Sequence, residues 1–190
     1  MEAHNPRFDL TVINPDIITG PMIHPVSGKG SINETNHFAI ASFIDGTNPK
    51  VEDVRFLFYH FVHYFPSHPI HSSPRFWLMS HQVDVQDVAH SHVDALTTPA
   101  ASGQRILLIS GLITPQLVVD IVRKHFPSLR ERVPAGMPGR ELPEGVHPTG
   151  WDMRVSLNIL SQGKRAEWKY ITLEKSVVDA VQSMVDLNVL

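Results

Sequence analysis

Three features of the sequence predict an α/β fold. Phe8–Ile13 and Arg105–Ser110 are apolar-rich runs of the kind that become strands buried on both faces of a parallel sheet. Val83 and Val85 flank Asp84 at strand spacing, and Val88, Ala89, His92, Val93 and Leu96 follow at helical spacing, so a strand passes directly into a helix. Two more helices with start signals come later, one opened by Thr114-Pro115 and one by Thr172.

In chain order, Phe8–Ile13 is expected to end at Asn14-Pro15, because proline cannot extend a ladder and restricts the residue before it. Met22–Ser31 reads as a loop, whose Gly28-Lys29-Gly30 lacks the Lys-Ser/Thr pair of a phosphate loop. Asn33 or Thr35 is placed to cap a helix through Ile44, with Gly46 ending it. Val51–Val62 closes in a β-branched and aromatic run suited to a strand. In the helix after Val83, Asp84 and Asp87 sit where carboxylates satisfy free N–H groups and the positive end of the helix dipole. Pro127–Gly150, rich in proline and glycine, is expected to be an irregular connection, and Trp151–Leu160 a short helix. In the last helix, Val177, Val178, Val181, Met184, Val185 and Leu187 form the predicted core stripe.

The 190 residues can bury one sizeable core, and 42% hydrophobic residues with a formal charge of -3 describe an ordinary globular chain. That balance points to no nucleic-acid partner, and no apolar stretch is long enough to cross a bilayer, so cytoplasmic placement is the default expectation. The absence of cysteine removes disulfides and thiolate chemistry. His60, His63, His68 and His71 show two His-x-x-His spacings, but no cysteine and few carboxylates accompany them, so no metal site is assigned. His90 and His92 read as one exposed and one partly buried histidine.

Val83-Asp-Val-Gln-Asp-Val-Ala89, the Asn14-Pro15…Gly20-Pro21 turn, Gly103–Gly111, Thr114–Pro127 and the helix from Thr172 carry a family likeness. Together they resemble the second half of the extended short-chain dehydrogenase/reductases, a group within the NAD-dependent epimerase/dehydratase superfamily. The nearest branch is the ketone and aldehyde reductases related to dihydroflavonol and cinnamoyl-CoA reductases. The resemblance implies an incomplete Rossmann-type fold, mainly the substrate-binding portion, with residues 1–190 as a single incomplete domain. It implies NADP (or NAD) as the parent cofactor and a small-molecule carbonyl as the parent substrate. It also places Pro15, Asp16, Ile17 and Ile18 on the nicotinamide side of a partial cofactor site.

The same resemblance defines what is missing. The family reaction uses a glycine-rich turn for the pyrophosphate and a Tyr with Lys four residues later. Tyr59, Tyr64 and Tyr170 are followed at that spacing by His63, His68 and Glu174, and neither Gly-x-x-Gly-x-x-Gly nor Gly-x-Gly-x-x-Gly occurs. No catalytic residue is therefore assigned, and the chain by itself is expected to be inactive. Residues 62–82 interrupt the junction between Phe-Tyr-His-Phe-Val and Asp-Val-Gln-Asp. That segment reads as a retained intron, with a long substrate-domain loop as the alternative. The rival functional class is a repurposed binding protein that takes a small apolar metabolite, or a partner subunit on its exposed sheet edge, or templates a cofactor-free cyclisation or isomerisation. The third alternative is a longer, active gene product.

Overall fold

The structure, a computed structural model, describes residues 8–51, 81–140, 142, 150–163 and 167–190. Strands β1 (Val12–Pro15) and β2 (Ile17–Thr19) are followed by helix α1 (Glu34–Ala39) and a 3-10 turn at Ala41–Phe43. Strand β3 (His81–Asp84) runs straight into α2 (Val85–Thr97), and β4 (Arg105–Leu108) and β5 (Gly111–Leu112) precede α3 (Pro115–His125). Helices α4 (Arg154–Leu160) and α5 (Leu173–Asp186) complete the described chain.

The strands form two small sheets joined at one residue. β1 pairs parallel with β4, from Val12 opposite Arg105 to Pro15 opposite Leu108. β2 pairs parallel with β3, from Ile17 opposite Gln82 to Thr19 opposite Asp84, and β3 is antiparallel to β5. Asp16 alone separates β1 from β2, so the chain changes sheets at that carboxylate. The parallel pairs confirm the α/β class.

Two hydrophobic clusters hold these layers. Ile40, Ile44, Val118, Val122, Val181 and Met184 join α1 and its following turn to α3 and α5. Val83, Ile106, Leu108, Ile159, Leu160 and Trp168 join the strands to α4. Each fully buried side chain of this size contributes about 1.5–3 kcal/mol of transfer free energy, as an upper estimate.

The predicted helix starts largely hold. Thr114 Oγ1 accepts from Leu117 N at 3.2 Å and Thr172 Oγ1 from Lys175 N at 3.3 Å. Asp84 Oδ1 accepts from Gln86 N at 2.8 Å, capping α2. Asn33 occupies the cap position of α1 but turns its amide to Thr35 instead, donating to the hydroxyl. The α1 helix also stops at Ala39, short of the predicted Ile44, and continues as a 3-10 turn.

Other expectations are corrected by the tertiary arrangement. The first strand begins at Val12, runs through Pro15, and is not buried on both faces: Phe8 is 71% exposed and Leu10 66%. Proline is tolerated there because Asn14-Pro15 closes the ladder rather than sitting inside it, and the next pairing donor is Asp16 N to Leu108 O. The last helix buries Ser176, Val177, Ala180, Val181 and Met184, while Val185 and Leu187 lie outside the stripe. His90 and His92 are both exposed.

The largest correction concerns α2, whose predicted apolar face points outward. Its buried residues are Asp87, Ser91 and Asp94, continued by Thr98, whereas Ala89, His92, Val93 and Leu96 are exposed. Periodicity located the two faces correctly but could not say which one meets the core. Asp87 on the inward polar face serves a distant backbone group: its Oδ2 takes a 2.8 Å hydrogen bond from Ile171 N, ahead of α5. Val88 and Ala95, at the margins of that face, supply the apolar contact with the second cluster.

Candidate functional site

The four residues singled out by sequence lie together at the β1–β2 junction, at the carboxyl end of β1. Open α/β sheets bind ligands beyond the carboxyl ends of their strands. Asp16 Oδ1 accepts from Ile17 N at 2.9 Å, a local contact at the point where the chain passes from one sheet to the other. Its Oδ2 accepts from His81 N at 3.3 Å and lies 3.9 Å from His81 Nδ1. That same ring nitrogen receives the Trp151 Nε1–H at 3.3 Å, so Nδ1 is the acceptor and the ring hydrogen sits on Nε2. The indole stands edge-on to the imidazole, with ring centroids 6.4 Å apart. His81 and Trp151, which sequence reasoning did not connect with Asp16, therefore belong to this junction. Their separation in the chain left no local pattern that could have revealed it.

Below the junction runs a polar seam. Thr19 Oγ1 donates to Gln82 Oε1 at 3.0 Å and lies 2.9 Å from Ser176 Oγ. Thr35 donates to Ile18 O at 2.6 Å, and Asn36 to Gly20 O at 2.8 Å, tying α1 to the strand end. Gly20, with φ of +123°, lies so close to α2 that an added Cβ would stand 2.6 Å from Asp84 Oδ2. The turn in which Gly20 sits thus depends on glycine at this position.

Tyr170 is the described phenol nearest this region. Burial pushes its hydroxyl up to about 12; the Asp87 charge adds to the rise, while the Ile109 backbone and Trp168 oppose it. The oxygen is enclosed and does not complete a well-formed hydrogen bond, although it approaches Ile109. Such a phenol stays neutral and has no lysine four residues later in sequence. Four residues on, Glu174 instead accepts from Lys124 and His125, each at 2.7 Å, and the Lys124 ammonium does most to lower its carboxyl to about 2. That trio ties the end of α3 to the start of α5.

The fit to a dinucleotide is partial. Pro15, Asp16, Ile17 and Ile18 can offer one wall to a nicotinamide ring, but the cavity beneath Ile17 holds only about 10 Å³, room for about one water molecule. A larger groove, about 610 Å³, opens between the start of β1 and the end of α2, away from this junction. These residues by themselves do not form a complete dinucleotide cradle. Among the described residues no cluster of His, Cys, Asp or Glu could hold a metal ion, and no helix is long and apolar enough to cross a membrane. The clustered histidines at 60–71 lie outside the described residues.

No family model matches the chain. It is similar to the ketoreductase azaE of Aspergillus niger, 29% identical over 190 residues, covering 98% of this chain and 46% of the relative. The putative NADPH-dependent methylglyoxal reductase GRP2 of Candida albicans is 26% identical over 188 residues, with 97% and 46% covered. Among solved structures, Gre2 from Candida albicans superposes with a TM-score of 0.69 at 29% identity, covering 98% of this chain and 47% of that one. A second structure of that protein, in complex with NADPH, gives 0.68. The chain spans about half the length of the curated relatives it matches. Its sequence and fold are thus similar, over nearly the whole chain, to about half of a ketoreductase and of NADPH-dependent reductases of this kind.

Proposed function

We propose that this chain is the substrate-side half of an NADPH-dependent carbonyl reductase of small-molecule metabolism, and that it does not reduce carbonyls unaided. The observation that carries the proposal is end-to-end similarity to NADPH-dependent reductases combined with the β1–β2 junction at a parallel strand end. In this reading Pro15, Asp16, Ile17 and Ile18 form the nicotinamide-side wall. NADPH, when bound, supplies the hydride. The chain's own residues shape that wall: Asp16 accepts from Ile17 N at the junction of the two sheets, and Gly20 keeps α2 close. Neither a Tyr-x-x-x-Lys pair nor a glycine fingerprint is in the sequence. Losing a positioned general acid alone costs about 100- to 10,000-fold, before the loss of cofactor binding is counted.

Residues 62–82 fit the same reading as an insertion. Removing them would put Phe61 at the place now held by Gln82, which is fully buried with its Nε2 unpartnered among the described residues. An apolar side chain there leaves no buried amide N–H unsatisfied, at the cost of the single bond that Gln82 Oε1 takes from Thr19.

The test of activity is NADPH consumption followed at 340 nm with the purified chain and methylglyoxal or an aryl ketone. Rates equal to buffer are expected. Sustained turnover that Asp16→Ala abolishes would show that the chain is catalytically complete.

A further inference from the structure

Met137 stands on a turn that helix α3 holds in place, with a guanidinium against its sulfur. Gln116 and Asp120, four residues apart on one face of α3, supply the anchors. Gln116 Nε2 donates to Ala135 O at 3.0 Å, its Oε1 accepts from Met137 N at 2.7 Å, and Asp120 Oδ2 accepts from Gly139 N at 2.9 Å. The two anchors are themselves joined, Gln116 Nε2 donating to Asp120 Oδ1 at 2.8 Å. Gly136 lies so close to α3 that an added Cβ would collide with Gln116 Oε1. Arg140 N donates to Met137 O at 3.1 Å across Pro138-Gly139, and Gly139 has φ of +78°, the arrangement of a type II turn.

This rigid base presents one reactive atom to solvent. Met137 is 60% exposed, whereas Met22 and Met184 are 7% and 0% exposed and Met153 is half-buried. Arg140 Nη1 donates to Met137 Sδ at 3.1 Å, and that guanidinium makes no other side-chain hydrogen bond or ion pair among the described residues. A thioether sulfur has a second lone pair, which stays open. A guanidinium carries five N–H donors in a fixed fork, so Arg140 keeps hydrogens for an oxygen that arrives at the sulfur.

We propose that Met137 is a redox modification site, that its reactant is a peroxide, and that Arg140 assists the oxidation. With hydrogen peroxide, the open lone pair of Sδ attacks one oxygen as the O–O bond breaks. The departing hydroxide takes the proton of the sulfur-bound hydroxyl and leaves as water. Sulfur is oxidised by two electrons to the sulfoxide, and the peroxide is reduced. Negative charge grows on the departing oxygen, where donors already in place lower the barrier. The sulfoxide oxygen is a stronger acceptor than the thioether, so the same guanidinium holds the product. Oxidation turns an apolar tip into a polar one, by a step that methionine sulfoxide reductases reverse. The fold survives, because the turn hangs on α3 through backbone groups.

The experiment treats the purified Ile23→Met variant with dilute hydrogen peroxide and follows each methionine by tandem mass spectrometry for the gain of one oxygen. Ile23 is 97% exposed, so the introduced methionine is more open than Met137 and lies outside the turn. Met137 is expected to react at least about threefold faster than that methionine. Adding Arg140→Leu is expected to bring Met137 down to the rate of the introduced methionine or below it, with the circular dichroism melt unchanged. Equal rates with Arg140 in place would mean that exposure alone governs, and would overturn the proposal. A fast Met137 that ignores Arg140→Leu would overturn it as well. The first comparison keeps the native Arg140, so it stands even if the second variant folds poorly.

Discussion

Replacing Gly20 with alanine should destabilise the protein by two separable mechanisms. At φ of +123° the backbone lies where only glycine rests comfortably, and forcing an L-residue there costs about 1–3 kcal/mol. The new Cβ would also stand 2.6 Å from Asp84 Oδ2 and 3.1 Å from Val85 Cγ1. Asp84 is fully buried and held by its cap to Gln86 N, so it cannot swing away, and overpacking of this kind costs about 1–3 kcal/mol more. The expected total is about 2–6 kcal/mol, measured by urea unfolding monitored by circular dichroism. In an Asp84→Ser background, which keeps a good cap but removes the carboxylate, Gly20→Ala should cost less, the backbone part of about 1–3 kcal/mol plus the remaining contact with Val85. Equal costs in the two backgrounds would refute the close approach. A cost below about 1 kcal/mol in the native background would refute both mechanisms.

Two further outcomes follow from the geometry. Tyr170 is neutral in both states below pH 10. Between 10 and 12 the unfolded chain ionises first, so stability falls as pH rises through that window. The full rise from 10 to about 12 would correspond to about 2.7 kcal/mol, and partial exposure of the residue reduces the expected loss to about 1–2 kcal/mol. Tyr170→Phe should remove that extra alkaline loss in urea titrations between pH 9 and 12; parallel pH profiles for the two proteins would contradict the burial argument. Full-length transcript sequencing at this locus should join Phe61 to Val83 or Val62 to Asp84, whereas a transcript that encodes residues 62–82 in frame rejects the retained-intron reading and leaves the loop alternative.

Features set by local chemistry were readable from the sequence. Thr114-Pro115 and Thr172 opened their helices because a hydroxyl within reach of the third N–H is a property of neighbouring residues. The β3–α2 transition was legible for the same reason, as was the likeness to the reductases, which rests on ordered short segments. Which face of α2 would be buried was not legible. Periodicity fixes the angle between the polar and apolar faces, but the acceptor needed by Ile171 N, and the packing of α2 on the second cluster through Val88 and Ala95, exist only once distant segments meet. The predicted burial of Phe8–Ile13 failed for a related reason: an apolar run reads as buried only if something covers it, and the described chain leaves Phe8 and Leu10 open.

The candidate site divides along the same line. Pro15, Asp16, Ile17 and Ile18 are adjacent in sequence, so a motif could place them at one turn. His81 reaches Asp16 across 65 positions and Trp151 reaches His81 across 70, and only the pairing of β2 with β3 and the path of the chain into α4 bring them there. By itself the sequence determined the α/β class, the helix starts, the likeness to the reductases and the turn at Asp16, because each is encoded in residues close together. The tertiary structure decided which helix face looks inward, that the first sheet ends at an open β1 edge among the described residues, and which side chains surround the turn. Those depend on contacts between segments far apart in the chain, and the free energy that selects them is summed over the whole packed assembly rather than carried by any single stretch.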